Sequence, residues 1–388
     1  MINFNKNILI VTSWEFPHVG GVSSHISLLA EKLDISPLDV INFSDITNEM
    51  TCSLLSKSII KTRKVIAKTF NFETITIYSN ALQRIIERED FKIIHCHDAM
   101  AAWAAIKARQ KFKRNYKIVV TVHGPTSRHM IEEGQHPNSP DVLKVEQCER
   151  EAWLGCDVII TVDKTQAEIV LEQGGSQKKI YIIPNAVDIN KLRKIANALP
   201  VMRKTDRKWL FVPRRLTPKN GIEYAIRAMP LLKTKPLLLL AGSGLDKVKL
   251  EELVEILDLQ NDVVFLGALH HEIMLPLMNA SDIVLIPSVP IYGIVEATSI
   301  AAIEAMALGK PVIASGIGGL NELIENNKTG ILISPQDPQK LARAIELLLD
   351  NQEIKMFIEE GAKKKAEEQF GDDIWIKRHL DIYKSLLN

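Results

Sequence analysis

The sequence predicts an α/β protein of two domains, each wound around its own parallel sheet, and three observations point there. Short, uninterrupted apolar runs recur along the chain, the pattern of strands buried on both faces. Segments with helical spacing separate most of them. The order strand, loop, helix opens twice, about half a chain apart, in 388 residues. At roughly 100–200 residues per domain, that length suits two domains.

The first opening is the run Asn7-Ile-Leu-Ile-Val-Thr12, followed by a Pro- and Gly-containing loop over residues 13–21. Val22, Ile26, Leu29, Ala30 and Leu33 then fall on one helical face. Further strands are expected at 93–96, 117–122, 158–162 and 180–183. The second opening is Trp209-Leu-Phe-Val212, a loop over 213–220 and a helix over 221–232. Strands at 237–240, 263–266, 283–286 and 311–314 complete it. The alternation makes each half Rossmann-like. Residues 191–208 are polar and basic and read as a linker, which places the domains at 1–190 and 209–369. Trp375, Ile376, Leu380, Tyr383 and Leu386 give residues 370–388 the stripe of a last helix.

Composition excludes several classes. Lys and Arg number 48 against 47 acids, a net charge of +1, which argues against a nucleic-acid partner. With 46% apolar and 24% charged residues the chain is an ordinary globular mixture. The cysteines at 52, 96, 148 and 156 form no Cys-x-x-Cys pair, so reduced thiols and a cytoplasmic location are expected. No apolar run approaches a membrane span, and no signal-peptide layout opens the chain. Residues 54–70, from Leu54 to Phe70, interleave five basic residues with aliphatics and carry no acid. That pattern fits a solvated basic face over a packed stripe, and also a peripheral surface at the inner face of a membrane.

The strongest chemical signal runs from Pro287 to Ser315. Thr298 or Ser299 is a natural N-cap, residues 300–308 favour helix, and Gly309 with Pro311 ends it. Glu296 then lies in the loop before the helix and Glu304 about one turn inside. A helix N-terminus suits a phosphate group, and a carboxylate one turn in accepts bonds from both ribose hydroxyls. A single acid there only balances the helix dipole; a second carboxylate in the preceding loop calls for more.

Two glutamates so spaced, followed by Ala-Met-Ala-x-Gly-x-Pro-Val, resemble the retaining GT-B glycosyltransferases of family 4. Gly20-Gly21-Val22 resembles that family's glycine loop, Ile94-His-Cys-His-Asp98 its His-x-His-Asp segment, and Thr121-Val-His-Gly124 its Thr-x-His-Gly strand end. Asn185-Ala-Val-Asp188, Leu240-Ala-Gly-Ser-Gly244, Val264-Phe-Leu-Gly267 and Gly318-Gly-Leu-Asn-Glu322 also have counterparts. The resemblance implies two Rossmann-like domains facing across a cleft, with the last helix returning to the N-terminal domain. It implies a nucleotide-sugar donor on the C-terminal domain and a glycan, lipid or lipid-linked acceptor on the N-terminal one.

Carried over by position, Glu304 would hold the ribose and Leu266 the base. Glu296 and His123 would contact the transferred sugar. Thr298, Ser299 and Ile300 would offer backbone amides to the diphosphate, Arg215 and Lys219 its positive charge, and Gly21 close backbone approach. No Asp-x-Asp occurs, so no metal and no cofactor are expected. Two departures stand out. The family's Arg-Leu-x-x-x-Lys-Gly becomes Arg215-Leu-Thr-Pro-Lys219-Asn220-Gly221, which puts Asn220 at the lysine position and makes Arg214 a second candidate. The usual Gly-Phe-Gly becomes Ala297-Thr298-Ser299.

Rival readings are a catalytically inactive, nucleotide-sugar-binding partner subunit, and a metallohydrolase using His95, His97 and Asp98 with His123, His129 or His136. A dinucleotide oxidoreductase requires Gly-x-Gly-x-x-Gly after the first strand, and that is missing.

Overall fold

The computed structural model describes residues 7–17, 20–36, 40–42, 72–88, 90–132, 134–203 and 205–388. Residues 54–70, with both readings of their basic stripe, the solvated face and the membrane surface, lie outside these. The chain divides into two compact units, one of residues 1–184 and 376–388, the other of residues 185–375.

In the first unit, β1 (Ile8–Val11), β2 (Ile93–Cys96), β3 (Lys117–Val122), β4 (Val158–Thr161) and β5 (Ile180–Ile182) pair in parallel in that order. Residue Ile41 bridges Val11 from the other side of β1. The chain therefore leaves β1 toward one side and returns as β2 on the other. Helix α1 (Gly21–Lys32) follows the first loop, and α2 (Phe72–Arg88) precedes β2. Helix α3 (Ala99–Phe112) buries a run of alanines, whose small side chains permit close packing. Asp98 caps α3, accepting from the Ala101 amide at 2.8 Å. Helices α4 (Thr126–Glu132), α5 (Pro140–Gly155) and α6 (Lys164–Glu172) follow β3 and β4.

The second unit opens with α7 (Ile189–Ala196), which occupies part of the segment expected as a linker. Its sheet holds β6 (Trp209–Pro213), β7 (Leu237–Ala241), β8 (Val263–Gly267), β9 (Ile283–Ile286), β10 (Val312–Ser315) and β11 (Ile331–Ile333). All pairings are parallel, in the order β11-β10-β9-β6-β7-β8. Successive residues of these strands enter opposite cores. Leu210, Val212, Leu238, Leu240, Ile283 and Leu285 pack on one side. Phe211, Leu239, Val284 and Ile286 pack on the other. Burial on both faces is why each strand is apolar throughout. β11 was not anticipated, because a three-residue run between Gly330 and Ser334 carries too little periodicity.

Helices α8 (Ile222–Ala228), α9 (Lys247–Ile256), α10 (His271–Ala280), α11 (Ile300–Ala307) and α12 (Leu320–Leu323) connect the strands. α13 (Pro338–Asp350) and α14 (Gln352–Gln369) close the unit. The last helix, α15 (Asp372–Leu387), begins in the second unit, and its residues from Ile376 onward belong to the first. Among the described residues no helix is long and apolar enough to cross a membrane.

Candidate active site

In the second unit the strand order reverses between β6 and β9, so the loops leaving their C-terminal ends diverge and leave a crevice of the kind that binds ligands. The loop after β6 carries Arg214 to Asn220, and the loop after β9 carries Ser288 to Ser299. Two glycines fit these loops together. Gly221 has φ +60, and a Cβ there would lie 2.0 Å from the Pro287 carbonyl oxygen. Gly318 has φ +48, and a Cβ there would lie 2.1 Å from the Glu296 carbonyl oxygen. Both combine a left-handed backbone with contact that only hydrogen permits.

Arg214 sits in this crevice. Its guanidinium donates to the Glu296 carboxylate at 2.7 Å, to Ser299 Oγ at 3.2 Å, to Ser288 Oγ at 3.3 Å and to Asn220 Oδ1. The Arg214 and Glu296 side chains are only 11% and 13% exposed. Asn220 is buried and turns its amide nitrogen to the Arg215 carbonyl at 2.7 Å and Thr217 Oγ1 at 3.0 Å. It thus holds the loop in shape and orients Arg214 through its oxygen.

Arg215, the expected cation, is exposed, and Lys219 is half-buried. Neighbouring residues leaving a strand point to opposite sides, so only one of two adjacent arginines can enter the crevice. Arg214 and Lys219 are five positions apart, the spacing of Arg and Lys in the Arg-Leu-x-x-x-Lys pattern.

Ser299 stands at the N-cap of α11, yet its hydroxyl makes no capping bond to the helix and instead accepts from Arg214. Thr298 is buried beside it, and the Thr298 carbonyl accepts from Asn185 Nδ2 at 2.9 Å. At the other end, Arg193 donates twice to the Ala307 carbonyl, at 3.0 and 2.9 Å, satisfying the helix C-terminus. Ile300 is half-buried at the first turn, and Leu266 packs partly buried against the core.

Glu304 is buried and contacts His271 Nε2 at 2.6 Å. Burial opposes charge on His271, but the hydrogen bond and the negative charge of Glu304 outweigh it and raise its pKa. Sequence reasoning missed His271, because a residue at the start of α10 has no local signal tying it to a carboxylate in α11.

In the first unit, Gly21 is the exposed first residue of α1. The divergence between β1 and β2 is bridged by Asp98. It accepts from Thr12 Oγ1 at 3.0 Å, the Ser13 amide at 2.6 Å and Ser13 Oγ at 2.8 Å. Burial still raises its pKa, ahead of these opposing bonds. His95 contacts the Tyr383 hydroxyl at 2.6 Å and Thr121 Oγ1 at 2.8 Å, so both its ring nitrogens are engaged. His123 follows β3, half-buried, and burial lowers its pKa to about 3.

The His-x-His pair thus divides: His95 braces the fold, while His97 joins His25 and His123. One ligand atom from each of these three lies within 4.8 Å of the others, the group among the described residues that could hold a metal ion. His129 instead lies 3.7 Å from Glu132, and His136 Nδ1 accepts from the Asn138 amide. The metallohydrolase set of His95, His97 and Asp98 is therefore not assembled as expected. His25 was missed because it reads as an ordinary position on an amphipathic helix.

Comparison with known proteins gives a family match for each half of the chain. Residues 19–191 match Glycosyltransferase Family 4, and residues 199–365 match Glycosyl transferases group 1. The chain is 28% identical over 394 residues to an uncharacterized glycosyltransferase of Methanocaldococcus jannaschii, covering 97% of each. It is 28% identical over 317 residues to the D-inositol 3-phosphate glycosyltransferase of Corynebacterium urealyticum, covering 76% of this chain and 72% of that one. Its fold is similar to that of Anabaena HepE in complex with UDP-glucose, with a TM-score of 0.74 at 19% identity, covering 97% and 99% of the two chains. With a Family 4 domain in its first half and a group 1 domain in its second, the chain belongs to the GT-B glycosyltransferases.

Proposed function

We propose that the protein transfers a sugar from a nucleoside-diphosphate sugar to a glycan, lipid or lipid-linked acceptor. The anomeric configuration is retained and no metal ion takes part. The observation that carries this reading is the Arg214–Glu296 pair beside the N-terminus of α11, with Glu304 one turn along.

Breaking a glycosyl–diphosphate bond builds negative charge on the leaving oxygen and positive charge at the anomeric carbon. Arg214 answers the first with a planar fork that suits phosphate, aided by Lys219, Arg215 and the amides of Thr298, Ser299 and Ile300. Donor binding exchanges the Glu296 carboxylate on Arg214 for phosphate oxygens. Glu296 is thereby released toward the sugar hydroxyls near the reacting carbon. Glu304 holds the ribose and Leu266 the base. His123, neutral in its buried setting, contacts the sugar as a hydrogen-bonding group, and Gly21 gives the diphosphate room. The inositol phosphate named for one relative supports a hydroxyl-rich acceptor.

Two measurements test this. Thermal shift against free nucleoside diphosphates should show stabilisation by one of them; none responding would sink the donor assignment. Glu296→Ala should abolish transfer while leaving the fold intact, and near-normal turnover would refute its role.

A further inference from the structure

The cluster of His25, His97 and His123 is used by the proposed reaction only through His123. We propose that these three imidazoles form a binding site for a divalent transition-metal ion of the zinc class, and that such an ion blocks His123. The blocking half rests on the glycosyl-transfer reading; the binding half does not.

The three rings come from α1 and from the turns after the adjacent strands β2 and β3, so parallel pairing brings them to one edge of the sheet. Ring centroids lie 4.6 Å apart for His25 and His123, 5.3 Å for His25 and His97, and 5.8 Å for His97 and His123. Their ligand atoms lie within 4.8 Å of one another. A tetrahedral zinc site with bonds of about 2.0–2.1 Å needs ~3.4 Å between ligand atoms, a closure within reach of side-chain rotation.

A second observation points the same way. His97 is 1% exposed, and neither of its ring nitrogens has a hydrogen-bond partner. His123 Nε2 likewise has none. Buried polar groups are ordinarily satisfied, so a doubly unpaired imidazole facing two others points to a ligand. The donor set also selects the ion. Asp98 is taken up by Thr12, Ser13 and Ala101, and His95 by Tyr383 and Thr121. Three imidazoles without a carboxylate suit zinc, cobalt, nickel or copper, and not magnesium or calcium. Three imidazoles leave the fourth position of a tetrahedral site open to water.

The test uses the full, metal-free chain. Titration with Co(II) should give the intense visible bands of a tetrahedral site, saturating at one equivalent, displaced by Zn(II) and unaffected by Mg(II). His97→Gln and His25→Gln should each abolish the bands. An absence of bands, or full bands in His97→Gln, would overturn the site. On the unsubstituted zinc-loaded chain, X-ray absorption should show the scattering of three imidazoles; an oxygen-dominated shell would overturn it independently of any variant. Where transfer is measured, stoichiometric Zn(II) should inhibit and a chelator restore turnover, with inhibition lost in His25→Gln. Full turnover by the loaded enzyme would overturn the block. Failure of the metal-free enzyme to transfer any sugar bears on the transfer reading alone, and the Co(II) spectrum still decides the site.

Discussion

Arg214 and Glu296 meet at 2.7 Å across two loops that lie 82 positions apart in the chain. They do so because β6 and β9 are neighbours in the sheet while the loops leaving them part company. A largely buried ion pair is a weak source of stability. In the proposed reaction it holds two groups in place until a charged ligand exchanges with one of them.

Arg214→Ala should therefore reduce transfer by about 10²–10³, the usual loss when one preorganised donor to a leaving oxygen is removed. Arg215→Ala, at an exposed site, should cost far less. Steady-state kinetics of both variants decide the matter, and the reverse ranking would return the role to Arg215.

Gly221→Ala places a methyl group 2.0 Å from the Pro287 carbonyl oxygen, on a backbone at φ +60. We expect a loss of at least ~2 kcal/mol, read as a melting temperature lower by about 4–8 °C in a unit of this size. An unchanged melting curve would mean that the two loops are not fitted together as described.

Glu149 is fully buried in α5 and accepts from the Ser127 amide at 2.9 Å and Ser127 Oγ at 2.7 Å. Burial raises its pKa to about 7, against the opposing pull of the Ser127 bonds. The folded state then binds a proton more tightly than the unfolded chain, whose carboxyl titrates near 4.5. This stability is complete below pH 4.5 and is lost as pH rises toward 7. Glu149→Gln imitates the protonated acid, so its stability relative to the parent should grow between pH 5 and pH 8. Urea unfolding at both pH values measures it, and a constant difference would contradict the burial argument.

Tyr383 brings its hydroxyl to His95 at 2.6 Å from the last helix. Tyr383→Phe leaves that imidazole nitrogen without its partner in a buried setting and should cost about 1–3 kcal/mol. Chemical denaturation is the readout; a change within experimental error would show that water replaces the hydroxyl.

Much of the fold was legible in local pattern. The apolar runs at β1, β6 and β9 and the helical face after Gly21 follow from burial, which leaves a period in the sequence. β11 and the helix inside residues 191–208 escaped because three residues, or a half-exposed basic helix, leave little contrast. The candidate site was legible as residue types: Glu296, Glu304 and Ser299 gather at a helix start, the pattern expected of a phosphate site. Their partners were not. Asn220 looked like a misplaced lysine position and proved to be the buried group that orients Arg214.

From the order of its residues alone this protein has its two parallel α/β halves, its helix ends and its pair of glutamates, because each depends on neighbours within a turn or a strand. Which arginine faces Glu296, which histidine holds Glu304, and which three imidazoles converge are matters of strand order and side-chain direction. Those contacts join positions far apart in the chain and leave no period to read, so they exist only once each sheet is assembled.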